Sequence, residues 1–406
     1  MDSLITAAAH SLAAGDPLHA LKRVALRDDP PALALRGIAM AQLGDLMKAK
    51  ELLKRAAAAF GTRDPVSRSR CTIAEAEVAL VSRDLGWPAK ALETARGVLE
   101  KSGDRLNAAH AGCLIARRLL LIGKVEEAAR VLAGIDAAVL PPALRASHEI
   151  AVAGIAIRRI KTAAAATALE NAAQAASAAG IASLAAEVAE LSAVLSGPAA
   201  RTVSRGVTRT ATLADVEAIF ASGVLVVDAC RTVVRQGTKA RPLASRPVLF
   251  ALARALAEGW PEDVARDDLL RRAFGARHAD ESHRARLRVE IGRLRAEIAG
   301  LAEVTATAAG FALQPVGTGQ VIVLAPISED RHQDVLALLA DGEAWASSAL
   351  AIALDVSART VQRALDDLAA EGKVQSVGRG RARRWLMPPL PSFPTTLLLP
   401  GPLPAL

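Results

Sequence analysis

The sequence predicts a mainly α-helical protein with small β elements: a repeat-like helical half over residues 1–197, then two small modules, each built from helices and a β-hairpin. Three observations lead there. Residues 1–197 are rich in Ala and Leu at helical spacing, with few β-branched clusters. Beyond Leu213 the texture is mixed, with alternating runs such as LVVDACRTVVRQG that break at glycine. Two late stretches, SHRARLRVEIGRLRAEIAG and DVSARTVQRALDDLAAEG, set arginines around narrow apolar stripes.

In the helical half, glycine or an Asp-Pro pair punctuates amphipathic segments at Gly15-Asp16-Pro17, Gly44, Gly61, Gly86, Gly123 and Gly180. AMAQLGDLMKAKELLKRA, ALVSRDLGWPAKALETARGVL and ARRLLLIGKVEEAARVLAGI share one pattern, and their alignment superposes Gly44, Gly86 and Gly123. These segments resemble degenerate tetratricopeptide repeats, although the aromatic positions of that motif are mostly absent. The resemblance implies a stack of helical hairpins, each burying its apolar face on its neighbours. A plain helical bundle fits the same spacing. Residues 198–212, in GPAARTVSRGVTRTAT, lack apolar periodicity and read as a basic linker bearing Arg201, Arg205 and Arg209.

The first module spans 213–320. A short hairpin breaks at Gly237. A helix follows with Leu249, Leu252, Ala253 and Leu256 on one face, and a second, DVARDDLLRRAFG, ends at Gly275. The third covers 283–298, with Leu287, Ile291, Leu294 and Ile298 as its buried stripe. Arg284, Arg288 and Arg295 flank one side and Arg286 and Arg293 the other, about an outward ridge of Ala285, Val289, Gly292 and Ala296. VTATAAGFAL closes the module as a hairpin around Gly310. From about 224 to 313 this order resembles the effector domain of OmpR/PhoB-type response regulators, a winged helix-turn-helix. The resemblance rests on the strand pair with Arg231, DDLLRRAFG, IGRLRAEI and Gly310-Phe311. It implies that 283–298 is a recognition helix in the major groove, its five arginines reaching phosphates or guanine edges. It also implies that the loop between Gly275 and Ser282 touches RNA polymerase. Local pairing of Arg286 with Glu290 and Arg293 with Glu297 is the competing use of these cations. No receiver domain precedes the module, so phosphorylation control is not carried over.

The second module spans 327–388. DRHQDVLALLADG gives one helix, and SSALAIALDVSARTVQRALDDLAAEG gives two more around a tight turn. Ser348 and Ser357 are the expected N-caps and Gly372 the stop. Val361, Ala364, Leu365 and Leu368 form the buried stripe, leaving Arg359, Thr360, Gln362 and Arg363 outward near the N-terminus of the last helix. KVQSVGRGRARRWLM reads as a wing with Arg379, Arg381, Arg383 and Arg384. Across 331–387 the segment is similar to the winged helix of GntR, DeoR and MarR-type regulators, which implies phosphate or minor-groove contact from the wing. A solvated basic turn is the alternative. The proline-rich tail, 389–406, is expected to be unstructured.

The net charge of +8 and pI of about 9.8 suit a polyanion partner. Aromatics are 2%, too few to stack single-stranded bases, so duplex DNA is the expected ligand. There is no P-loop, HExxH or GxSxG. Cys71, Cys113 and Cys230 are scattered. His278 and His283 fit no metal-ligand spacing. No enzyme, cofactor, metal or membrane span is expected. The reading is a cytoplasmic, nucleoid-associated DNA-binding transcriptional regulator whose residues 1–197 bind a protein partner or a second copy. A protein-interaction scaffold is the competing class.

Overall fold

The computed structural model describes residues 2–274, 281–317, 319–327, 332–339, 343–378, 380 and 383–387. The protein is mainly helical with small β-sheets. It forms two compact units. One takes the described residues of 1–159, 163–192 and 330–406; the other takes 160–162 and 193–329. The second unit is thus inserted, along the chain, between two parts of the first.

Helices α1 to α11 are Ser3–Ala13, Pro17–Val24, Pro30–Gln42, Leu46–Phe60, Pro65–Val81, Ala89–Lys101, Arg105–Leu121, Val125–Ala133, Pro142–Arg158, Thr162–Ala179 and Ala182–Ser196. From α1 to α9 each packs on the next, and α1 also on α3, α3 on α5, α5 on α7 and α7 on α9. Helices α3, α5, α7 and α9 are therefore enclosed, and α4, α6 and α8 cover them with one buried stripe each. Helix α5 buries Ile73, Ala74, Ala76, Glu77 and Val78, almost all round. Helix α4 buries only Ala49, Leu52, Leu53 and Ala56, one stripe at helical spacing. Gly37 on α3 lets the Leu53 side chain approach: a Cβ there would lie 2.8 Å from Leu53 Cγ.

Helices α1, α3, α5 and α7 end in the same turn. A residue in the left-handed region (Gly15, Gly44, Arg83, Gly123) is followed by an amide that donates back to the last helical turn. These bonds are Asp16 to Ser11 at 2.8 Å, Asp45 to Met40 at 2.9 Å, Asp84 to Ala79 at 2.7 Å and Lys124 to Leu119 at 2.8 Å. The third position corrects the alignment made from sequence. Arg83, at φ 50°, stands where Gly86 was expected, and Gly86 is not in the left-handed region.

The second unit holds β1 (Pro198–Ser204), β2 (Val207–Thr212), α12 (Leu213–Ala221), β3 (Leu225–Asp228), β4 (Val233–Gln236) and β5 (Lys239–Pro242). After these come α13 (Pro247–Gly259), β6 (Val264–Ala265), α14 (Arg266–Phe274), α15 (Glu281–Glu297), β7 (Ala302–Ala306), β8 (Gly310–Pro315) and β9 (Val321–Ala325). Residues 198–212 are not a linker. They form the β1–β2 hairpin, turned at Arg205-Gly206 with both residues at positive φ. The six-stranded sheet runs β2-β1-β9-β3-β4-β5, with β3 and β9 parallel. Both faces of its middle are covered. Leu225, Val227, Val321 and Val323 face the core shared with α13 and α15. Val226 and Leu324 face a smaller core with Ile160, Ala200, Ala211 and Val216. Two-sided burial accounts for the unbroken apolar runs LVV and VIVLA. A three-stranded sheet, β6-β8-β7, closes the unit.

The remainder holds α16 (Gln333–Leu339), α17 (Ser347–Leu354), α18 (Ala358–Ala370), β10 (Gln375–Val377) and β11 (Arg384–Leu386). Its order repeats that of α13 to β8. Trp345 pairs with Trp385 of β11, just as β6 pairs with β8, through amide–carbonyl bonds of 2.8 and 2.7 Å. Trp345, Leu350, Val361, Leu365, Leu368 and Trp385 form its core. Leu85 of the helical half is buried in that same core, and Leu121 and Ile122 pack against it. Ser348 does not cap α17, which starts at Ser347 after Ala346 with no side-chain cap. Ser357 does cap α18, accepting from the Thr360 amide at 3.1 Å, and Gly372 ends it at φ 69°.

Candidate nucleic-acid interface

Helix α15 is fixed from beneath. Leu287, Ile291, Leu294 and Ile298 are all buried in the larger core, as the wheel predicted. Their burial turns Arg284, Arg286, Arg288, Arg293 and Arg295 outward, and all five are exposed. The ridge between the two flanks, Ala285, Val289, Gly292 and Ala296, is exposed too, and a Cβ on Gly292 would meet nothing within 4 Å.

The arginines are not equivalent. Arg284 and Arg288 share Glu281, at 3.9 and 3.5 Å, with side chains 50% and 69% exposed. Such long, solvated pairs hold a cation weakly, and phosphate can replace the carboxylate. Arg293 pairs with Glu290 at 2.9 Å. Arg286 lies over the Phe274 ring, 4.7 Å from its centre. The spacing-based pairs Arg286–Glu290 and Arg293–Glu297 do not form: Glu290 is taken by Arg293, and Glu297 by Arg246 at the start of α13. Arg295 departs most from expectation: its Nε donates to the Val304 carbonyl at 2.6 Å, tying α15 to β7. It therefore spends part of its donor set inside the module.

The β7–β8 turn carries no cation of its own; its residues are Thr307, Ala308 and Ala309. Arg266 fixes it, donating to the Ala308 and Thr307 carbonyls at 2.8 and 2.9 Å, while the Thr307 hydroxyl bonds Asp263. Arg266 and Asp263 were not singled out from sequence. Only the hairpin's position would have exposed their role.

Helix α18 presents a smaller set. Arg359 and Arg363 are exposed one turn apart, and neither has a carboxylate partner among the described residues. Both sit at the helix N-terminal half, where the backbone dipole adds positive potential. The Thr360 hydroxyl bonds Ser357 at 2.8 Å, and Gln362 donates to Asp366 at 2.8 Å, so both already have local partners. In the following hairpin Arg383 lies 4.1 Å from the Trp385 ring centre, and Arg384 is half-buried. Arg379 and Arg381 lie outside the described residues, as do the tail beyond 387, the 275–280 loop and His278.

Away from these helices, burial raises the Cys71 and Cys113 thiols to about 12, so both are protonated at neutral pH, whereas Cys230 is exposed beside Asp228. The Asp228 carboxyl is pushed up by burial; it accepts from the Cys230 and Arg231 amides and shapes the β3–β4 turn. Among the described residues, no group of three or more His, Cys, Asp or Glu is placed to hold a metal. No helix among them is long and apolar enough to cross a membrane. No family model, curated protein or solved structure matches the chain.

Proposed function

We propose that this chain is a sequence-specific duplex-DNA-binding transcriptional regulator, built from two winged-helix modules and a tetratricopeptide-like helical half. One observation carries the reading. The order helix, short strand or single β-bridge, helix, helix, hairpin occurs twice, and each time the third helix buries an apolar stripe and turns arginines to solvent. Helix α15 would enter a major groove along its small-residue ridge, with Arg284, Arg288 and Arg293 exchanging carboxylates for phosphates or guanine edges. Helix α18 would do the same with Arg359 and Arg363, and its basic hairpin would lie on phosphates. The packing of α1 on α3, α3 on α5, α5 on α7 and α7 on α9, with each intervening helix packed on its two chain neighbours, supports the helical-repeat reading, and a stack of this kind offers a surface for a protein partner or a second copy.

Titration of the full chain against labelled duplexes selected from random sequence tests this. A regulator loses affinity steeply with salt and prefers selected duplex over competitor by about 10³-fold or more. Weak, sequence-blind binding at every salt concentration would instead identify a protein scaffold.

A further inference from the structure

Most of the recurring turns in the helical half use glycine in the left-handed region, where a side chain is strained. After α5 the position is Arg83, at φ 50°. Its guanidinium lies over the ring of Trp345, 5.6 Å from the centre. Trp345 is fully buried in the core of the 330–387 module, where it makes a single β-bridge to Trp385. Two residues on, Leu85 is 2% exposed inside that module's core, joined by Leu121 and Ile122 from the end of α7. The turn itself is held firmly: Lys50 pairs with Asp84 at 2.6 Å, Arg118 donates to the Leu85 carbonyl at 3.3 Å, and the Trp87 indole donates to Glu75 at 3.2 Å.

We propose that Arg83 is a positioning residue for helix α18, and that the helical half carries the 330–387 module as a fixed attachment through the Arg83–Leu85 turn. After α1, α3 and α7 glycine holds this turn position; a non-glycine residue stands there after α5, as Ile160 does after α9, and at Arg83 the strain is offset by the contact of its guanidinium with the Trp345 face. The attachment leaves the outer face of α18 open: Arg359, Thr360 and Arg363 stay exposed while the opposite stripe is buried. The contact thus aims the helix and does not mask it. A partner that bends the stack near α5 and α7 would re-aim α18.

Arg83→Gly separates the two roles of this residue. As a turn residue alone, arginine adds only the bond from its guanidinium to the Leu80 carbonyl at 3.1 Å, so glycine should relax the backbone and change exchange at the end of α5 and nowhere in α17 or α18. As an attachment, glycine deletes the contact while relaxing the backbone. In the full chain, amide hydrogen exchange across α17 and α18 should then speed up about 5- to 10-fold, with α3, α4, α6 and α7 unchanged or slower. Arg83→Lys, which keeps a cation over the ring, should restore most of the protection. Unchanged exchange in α17 and α18 for Arg83→Gly, or equal loss for the Lys and Gly variants, overturns the proposal. Leu85→Ala should loosen the same two helices; loosening confined to α5 and α6 would count against it. The exchange arm needs no DNA. The aiming of α18 rests on its reading as a DNA-contacting helix, so Arg83→Gly should also lower affinity for a selected duplex. Exchange that responds while the wild-type chain binds no duplex would leave the attachment standing and sink the regulator reading.

Discussion

The two modules share an order of elements and place their charge differently. Helix α15 bears five exposed arginines above a hairpin whose turn, Thr307 to Ala309, is neutral and clamped by Arg266. Helix α18 bears two outward arginines, and the hairpin after it holds Arg379, Arg381, Arg383 and Arg384 in sequence. On the proposed DNA-binding reading, a helix lined with cations on both flanks can make base and phosphate contacts at once, so sequence discrimination should reside mainly in the first module. A basic hairpin adds attraction with little discrimination, so the second module should supply mainly affinity.

The difference extends to the cores. In the first module the short strand is Val264-Ala265, facing Phe311 and Gly310; in the second, Trp345 faces Trp385. Both tryptophans are almost fully buried. Trp385→Ala should therefore cost about 3–5 kcal/mol and unfold 330–387 first. Hydrogen exchange should show protection lost in α17 and α18 and kept in α13 and α15; uniform loss would mean that the two parts do not unfold separately. The next largest effect belongs to the first module. A Cβ on Gly310 would lie 1.8 Å from the Val264 carbonyl oxygen. Gly310→Ala should part β6 from β8 and cost about 3 kcal/mol, seen as a lower melting temperature for the 193–329 unit. Arg384 occupies the corresponding place in the second hairpin, so that module tolerates a side chain there.

These contrasts also show what a sequence exposes. The stripes of α15 and α18 were legible because burial on one helix face imposes a 3.6-residue period, and every residue assigned to them is buried. The β1–β2 hairpin was not. β2 is an edge strand, exposed along most of its length; of its residues only the small Ala211 is buried, too little to mark the pleat in sequence. Only the Arg205-Gly206 turn hinted at it. The alternative i,i+4 pairs of α15 are absent for a different reason: Glu290 is taken by Arg293 one residue nearer, and Glu297 by Arg246, far away in sequence. Docking of Leu85 into the 330–387 core is likewise non-local and leaves no periodicity. Arg83 hid in plain view, since a turn that tolerates arginine carries no glycine to align.

Binding measurements sharpen the charge comparison directly. Arg288→Ala should weaken a selected duplex by about 1–3 kcal/mol and relax preference at one position if it reads a base edge. Arg381→Ala with Arg383→Ala should weaken all duplexes alike and reduce the slope of log K against log salt by about 2. If Arg288→Ala acts uniformly and the hairpin pair acts selectively, the division of labour between the modules is reversed.

The smallest effect is the most diagnostic of whether α15 meets a duplex as proposed. Gly292 lies mid-helix on the exposed ridge, with open space where a Cβ would project. Glycine there costs the helix about 0.5–1 kcal/mol relative to alanine, so Gly292→Ala should raise the melting temperature of the 193–329 unit slightly. A helix that approaches DNA along this ridge has reason to keep it low. Gly292→Ala should then bind a selected duplex no better than wild type despite its greater stability, and Gly292→Leu should bind distinctly worse, with the fold intact. If the leucine variant binds as wild type does, the ridge does not face the groove. The arginines on its flanks would then have to reach DNA from some other side of the helix, which the buried Leu287–Ile298 stripe does not allow.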